Sequence, residues 1–394
     1  MKNPRYLIIG GGMAADSAAR GIRKVDTVGS ITMLCDEFDP PYDRPPLSKS
    51  LWKDEPFAAI WRDTATLNVD VQTARKAVTL DKAGKKVTDD AGVVYRYDKL
   101  LLATGGSPRE LPTADGHVIH FRTAADYLRL RALCEQGRDF VVIGGGFIGS
   151  EVAAALAMSG KHVTMVFPSK GIGSRAYPPA LSDFLNSYYE EKGVTLLAAE
   201  TVKSVRKVNG RLKVTTGSGR EIAADGVVAG LGILPNTALA EQAGLKVDNG
   251  IVVDELLRTS DPDIYAAGDV ANFYSAALDT RMRVEHEDNA NVMGELAGRN
   301  MAGQSDIYSH QPYFYSDLFD LGYEAVGELD SGMDIVEDWQ EPFRKGVLYY
   351  LRDGRVRGVL LWNTWGQVAA ATELIAEKAQ HDGGTLKGLI KEQD

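Results

Sequence analysis

Apolar residues along this chain come in short unbroken runs that stop at glycine. Residues 6–9 (Tyr-Leu-Ile-Ile) stop at Gly10, Gly11 and Gly12, and residues 140–143 (Phe-Val-Val-Ile) stop at Gly144, Gly145 and Gly146. An alanine-rich stretch follows each. A run without polar alternation suits a strand covered on both faces, as in parallel sheets, and the stretch after it suits a helix laid back over that strand. Each unit has a second strand-like run, at 30–37 and at 162–170. A further run at 100–109 meets a tight turn, and 263–270 (Asp-Ile-Tyr-Ala-Ala-Gly-Asp-Val) repeats that pattern, as a strand rejoining the first sheet would. The second unit is then an insertion within the first. From about Gln311 the pattern turns aromatic and strand-like, and Asp353-Gly354 between the runs 345–352 and 355–362 signals a hairpin, with a helix expected around 367–379. The predicted class is α/β: two doubly wound units, at 1–113 plus 237–310 and at 114–236, then an α+β domain with an antiparallel sheet at 311–394.

The two glycine runs lie 134 positions apart and carry one fingerprint of Rossmann-like dinucleotide sites. In the second copy Gly144, Gly146 and Gly149 allow the tight turn, close approach of a pyrophosphate and packing of helix on strand, with the helix N-terminus facing the phosphates. The first copy has Gly10 and Gly12, with Ala15 at the third position. Asp36 and Glu37 end its second strand, near the place where an acid accepts the adenosine ribose hydroxyls, so this site suits a nucleotide without a 2′-phosphate, such as FAD. The corresponding strand of the second unit ends without an acid and is followed by Lys170 and Arg175, which leaves room for NADPH or makes them ordinary surface charges. Two dinucleotide sites in one chain imply hydride transfer between two dinucleotides.

Composition narrows the partners. The chain has 394 residues, 44% hydrophobic and 25% charged, and a formal net charge of −10. That field repels nucleic acid and anionic membrane. No apolar run approaches the roughly 20 residues of a membrane span, and a first strand at Tyr6 leaves no room for a signal peptide, so a cytoplasmic location is expected. Cys35, in an expected strand, and Cys134, in an expected helix, are 99 residues apart, so no paired thiol motif exists and electrons should leave a flavin directly toward an outside acceptor. The six histidines show no metal-ligand spacing, and no Ser-His-Asp arrangement is legible.

Motifs spread from end to end carry a resemblance: PYDRPPLSK at 41–49, ATGGSPR at 103–109, GGGFIGSE at 144–151, FPSKG at 167–171, AAGDVANFY at 266–274, VEHEDNA at 284–290, GYEAVG at 322–327, KGVLYYLRDG at 345–354 and VLLWN at 359–363. The chain resembles the FAD-dependent pyridine-nucleotide ferredoxin and rubredoxin reductases, of glutathione-reductase-like fold, and within them the apoptosis-inducing-factor branch. The resemblance implies FAD with NADH or NADPH as cofactors. It implies that Asp269 takes the FAD ribityl hydroxyls, that Arg44 neutralises the FAD pyrophosphate, and that Lys49 and Glu151 form an ion pair beside the flavin N5 edge. Phe147 would lie against the flavin and move for the nicotinamide, while Glu285, His286, Glu324 and Asn363 match positions at the nicotinamide end or the flavin. On the FAD side the resemblance adds Met13, Ala14, Val78, Ala103, Thr104, Gly105 and Arg122; on the nicotinamide side it adds Ile148 and Gly232.

Two positions depart from the branch. Ser169 stands where a glutamate holds the NADH ribose, and Tyr315 where a tryptophan packs near the flavin. The stretch 338–344 is too brief for a long insertion. The resemblance leaves the acceptor open: a ferredoxin or rubredoxin, met by a basic hairpin of Arg344, Lys345, Arg352, Arg355 and Arg357; a quinone; or none, in a redox sensor that forms a long-lived charge-transfer complex and dimerises when reduced.

Overall fold

The computed structural model describes residues 1–112 and 116–391. The chain divides into two compact units, one of Met1–Arg44, Pro56–Ser107 and Leu234–Pro312, the other of Pro45–Glu55, Pro108–Ile233 and Tyr313–Asp394. The expected boundary at 113/114 lies outside the described residues.

In the first unit five parallel strands lie in the order Ile264–Ala266, Lys99–Leu102, Tyr6–Ile9, Ile31–Leu34, Val69–Gln72. Residues 6–9 are buried throughout, as their unbroken apolar run requires. The late strand pairs in parallel with the earlier one (Ile264 opposite Leu100), so sequence far downstream completes this sheet. The helix Met13–Val25 packs on the helix Glu287–Met301 at glycine distance. A Cβ added at Gly21, Gly294 or Gly298 would stand 2.1, 2.4 or 2.0 Å from the carbonyl oxygens of Glu295, Ala14 and Ala18. Cys35 falls one position beyond the strand Ile31–Leu34 and is buried.

In the second unit a parallel sheet runs Val194–Leu197, His162–Val166, Asp139–Ile143, Gly226–Ala229, Val118–His120. A separate antiparallel sheet runs Tyr313–Leu318, Leu321–Gly327, Arg355–Trp362, Lys345–Arg352, Asp334–Glu341. Its hairpin turns where expected, with Asp353 and Gly354 both at positive φ (53° and 73°), the primed geometry that matches strand twist. The helix expected around 367–379 is Val368–Ala376, and Lys378 at φ 54° has already left the helical region. Among the described residues no helix is long and apolar enough to cross a membrane.

Candidate functional site

The two glycine turns share a construction. Gly10 (φ 127°) and Gly144 (φ 115°) hold a backbone that side chains rarely adopt, and a Cβ there would meet the carbonyl oxygens of Ala103 at 2.1 Å and Gly230 at 2.4 Å. The next glycines press on the end of the second strand: Gly11 on Cys35, Gly145 on the Phe167 ring. Gly12 and Gly146 are the N-caps of the following helices; a Cβ there would meet nothing within 4 Å, and neither cap makes a side-chain hydrogen bond. Open space before uncapped helix N–H groups is what a dinucleotide pyrophosphate requires, so both cradles fit that group. Gly149 packs against Gly144, where a Cβ would lie 2.1 Å from the carbonyl oxygen, while the matching Ala15 is fully buried.

Around the first cradle, Glu37 accepts from the Tyr42 hydroxyl at 2.6 Å and pairs with Arg44. Burial opposes the Arg44 charge, but Tyr42, Glu37 and Asp269 outweigh it and hold the guanidinium protonated. Arg44, Glu37 and Asp269 are therefore gathered in this unit, and Arg44 answers a carboxylate of its own chain. Asp36 instead pairs with Lys76 at the surface, 3.3 Å away. Thr104 donates to the Asn236 carbonyl at 2.7 Å and Asn236 returns a bond to the Thr104 carbonyl at 2.9 Å, fixing the turn Ala103–Gly105. Glu285 pairs with Arg283 at 2.7 Å, and His286 is the N-cap of the helix Glu287–Met301. Met13 and Ala14 are buried, while Val78 is 40% exposed on the strand Ala77–Asp81. Sequence reasoning passed over Asp16, one turn into the first helix and wholly buried. It accepts from Arg20 and Arg62 at 2.7 Å each and from Thr64 at 2.6 Å, locking that helix to residues 62–64.

The second unit holds the most strongly built polar cluster. Glu151, 3% exposed on the helix Phe147–Met158, accepts on one oxygen from Lys49 Nζ at 2.7 Å and Ser48 Oγ at 2.6 Å, and on the other from Ser316 Oγ at 2.5 Å. The Lys49 ammonium lies 5.3 Å from the centre of the Tyr315 ring, a cation–π position. A carboxylate this buried persists because a cation and two hydroxyls answer it. Ser48 lies in the motif at 41–49 and Ser316 next to Tyr315, but their link to Glu151 spans 103 and 165 positions and leaves no local signal. Phe147 has its ring 5.5 Å from Phe314 and 6.5 Å from Tyr323, which stacks on Trp362 at 5.7 Å. Burial pushes the Tyr177 and Tyr323 hydroxyls well above the usual phenol range, so both stay neutral beside Glu151.

Other expected positions have plainer surroundings. Asn363 accepts from the Gly322 N–H at 2.8 Å and donates to the Arg344 carbonyl at 2.9 Å, bracing a strand end. Glu324 accepts from the Gly366 N–H at 3.0 Å. Gly232 (φ 81°) is exposed, and its carbonyl accepts from Arg109 at 2.9 Å. Ile148 is 40% exposed beside the open Gly146. Arg122, expected on the flavin side, belongs to the second unit, where its N–H bonds Asp126 at 3.1 Å. Ser169, Lys170 and Arg175 follow the strand His162–Val166. The basic hairpin is partly engaged within its own unit: Arg357 is buried and bonded to Glu328 at 3.0 Å, Arg352 lies 3.6 Å from that carboxylate, and Arg344 lies over Phe184 and Tyr188. These cations answer groups of their own unit. Among the described residues no cluster of His, Cys, Asp and Glu is arranged to hold a metal.

Residues 4–294 match the family described as pyridine nucleotide-disulphide oxidoreductase. The chain belongs to that family. Segments 297–341 and 335–377 match a second description, apoptosis-inducing factor, mitochondrion-associated, C-term. The chain is 35% identical over 418 residues to apoptosis-inducing factor 1, mitochondrial, of Dictyostelium discoideum, covering 95% of this chain and 78% of that one. It is 34% identical over 388 residues to the ferredoxin–NAD(+) reductase component of the anthranilate 1,2-dioxygenase system of Burkholderia cepacia, covering 96% and 95%. Among solved structures, that of the covalent putidaredoxin reductase–putidaredoxin complex superposes with a TM-score of 0.91 at 30% identity, covering 98% of this chain and 96% of that one. This member of the pyridine nucleotide-disulphide oxidoreductases is an FAD-dependent NAD(P)H oxidoreductase of apoptosis-inducing-factor and ferredoxin-reductase type.

Proposed function

We propose that this oxidoreductase supplies electrons from a reduced nicotinamide to a small one-electron carrier of the ferredoxin or rubredoxin class. One NAD(P)H and two oxidised carriers give NAD(P)⁺, two reduced carriers and one proton. The observation that carries the reading is the state of the cysteines. In a family named for a disulphide, both are free and buried, with thiols pushed by burial to about 12 for Cys35 and about 11 for Cys134. Neither supplies a thiolate near neutral pH, so electrons leave without a protein dithiol.

The cradle of Gly10 and Gly12 is assigned to FAD, with Arg44 toward its pyrophosphate, and that of Gly144 and Gly146 to NAD(P)H. Segments 1–113 with 237–310, 114–236 and 311–394 are read as the flavin, nicotinamide and interface domains. Bound FAD supplies the exchange between one hydride and two single electrons. Lys49, paired with Glu151, whose carboxylate also accepts from Ser48 and Ser316, would present its ammonium to the flavin. Phe147, its ring set against Phe314, would lie against the flavin and move aside for the nicotinamide.

Anaerobic rapid mixing with NADH or NADPH, then with a ferredoxin, tests the reading. Flavin bleaching followed by prompt reoxidation by the ferredoxin supports it. A persistent charge-transfer band indifferent to ferredoxin, with dimers of the reduced protein by light scattering, would replace it with a redox reporter.

A further inference from the structure

The loop after the strand His162–Val166 is fixed along its length by its own unit. Ala199 N–H donates to the Ser169 carbonyl at 2.8 Å, and the Ser169 hydroxyl donates to the Gly171 carbonyl at 3.0 Å. The Asn186 amide grips two more points, donating to the Lys170 carbonyl at 3.0 Å and accepting from Ile172 N–H at 3.1 Å. Gly173 N–H reaches the Gly145 carbonyl at 2.8 Å, which ties the loop to the glycine cradle itself. Ser331 closes the far end, its N–H on the Arg175 carbonyl at 2.9 Å and its hydroxyl on the Ser174 carbonyl at 2.8 Å.

All of this holding is done by backbone and small polar groups, and two side chains are left over. Lys170 and Arg175 are exposed, and among the described residues neither side chain has a hydrogen bond, ion pair or ring contact. The carboxylates next in sequence to two of the anchors are turned elsewhere: Glu200 to Thr201 N–H at 3.0 Å and Ser218 N–H at 3.2 Å, Asp330 to Gly332 N–H at 2.9 Å. At this place in a dinucleotide fold a carboxylate accepts the adenosine ribose hydroxyls and repels a 2′-phosphate, whereas cations attract it. The first unit has Asp36 and Glu37 there; the second has a serine and two unanswered cations on a preordered loop.

From this we infer that the second cradle selects NADPH over NADH, with Lys170 and Arg175 receiving the 2′-phosphate and Ser169 determining the preference by what it is not. The inference rests on assigning that cradle to NAD(P)H. It sets the chain apart from the relative whose name specifies NAD(+). Each cation should contribute about tenfold, the usual worth of a charge-assisted hydrogen bond to phosphate.

Calorimetry on the flavin-loaded protein with 2′,5′-ADP and with 5′-AMP reads this without turnover. The wild type should bind 2′,5′-ADP about 100-fold more tightly; Lys170→Gln with Arg175→Gln should bring the ratio near one, and Ser169→Glu should lower it by about tenfold. Equal affinities in the wild type, or a ratio unmoved by both variants, would overturn the inference. Rapid mixing separates it from the reading beneath it. Flavin reduced faster by NADH sinks the selectivity and keeps the reductase, while a protein that prefers 2′,5′-ADP but whose flavin neither nucleotide reduces keeps the selectivity and sinks the reductase.

Discussion

The two cradles are one backbone device used twice, and what differs is what surrounds each. The helix after Gly12 is locked: glycines seat it on the helix Glu287–Met301, and Asp16 fastens it to Arg62 and Thr64. The helix after Gly146 is loaded: it presents Phe147 at its first position and carries Glu151 to Lys49. A glycine turn specifies only that a dinucleotide is held. On the proposed assignment, what separates the flavin cradle from the nicotinamide cradle is the set of residues one turn into the helix and at the end of the second strand.

Substituting the glycines is the harshest way to break that comparison. Gly10→Ala forces a side chain to φ 127° and within 2.1 Å of a carbonyl oxygen, so the protein should be recovered without FAD or not at all, read from the flavin-to-protein absorbance ratio. Gly149→Ala should leave FAD in place and weaken nucleotide binding more than about 100-fold, since the helix is displaced from the turn that positions it. Loss of FAD in Gly149→Ala would mean that the cradles are assigned the wrong way round.

Removing Lys49 probes the loaded helix alone. Lys49→Met should keep FAD and slow flavin reduction by about 100-fold, the scale of losing one fixed electrostatic group, in stopped-flow at saturating nucleotide. An unchanged rate would take the pair out of the mechanism. Ser316→Ala strips one hydroxyl from buried Glu151 and should cost about 1–3 kcal/mol in urea unfolding; stability equal to wild type would show that the second oxygen finds another donor.

The mildest test concerns the thiols. With Cys35 raised to about 12 and Cys134 to about 11, the thiolate fraction at pH 8 is negligible and grows only as pH approaches those values. Iodoacetamide at pH 8 should label neither cysteine in the folded protein and both after denaturation. Labelling in the native state would reopen a thiol route for electrons.

How much could be read beforehand follows the range of the interactions. Periodicity and turn chemistry are local, so the strands at 6–9 and 140–143, the hairpin at Asp353-Gly354 and the returning strand at 263–270 were legible, and so was the pairing of Lys49 with Glu151 through motif resemblance. Asp16, Ser48 and Ser316 were not, because their work depends on partners that only the fold brings near. The partners of the hairpin arginines were hidden for the same reason: Glu328 beside Arg352 and Arg357, and Asp320 beside Arg344, are neighbours that only the fold supplies.

The close seating of Met13–Val25 on Glu287–Met301 also bears on how the chain is made. Gly298 meets Ala18 across 280 positions, so the first sheet, four of whose five strands are made by Leu102, waits for roughly 200 further residues before its covering helix exists. At bacterial and eukaryotic translation rates that is about 10–40 s. Throughout that interval the apolar face of the nascent first unit has no permanent cover, while the segments 118–229 emerge together and close their own sheet without it. All strands of that sheet are made before Glu287–Met301 exists, whereas the second unit as a whole waits for Tyr313–Asp394, so neither unit is complete until synthesis nears its end.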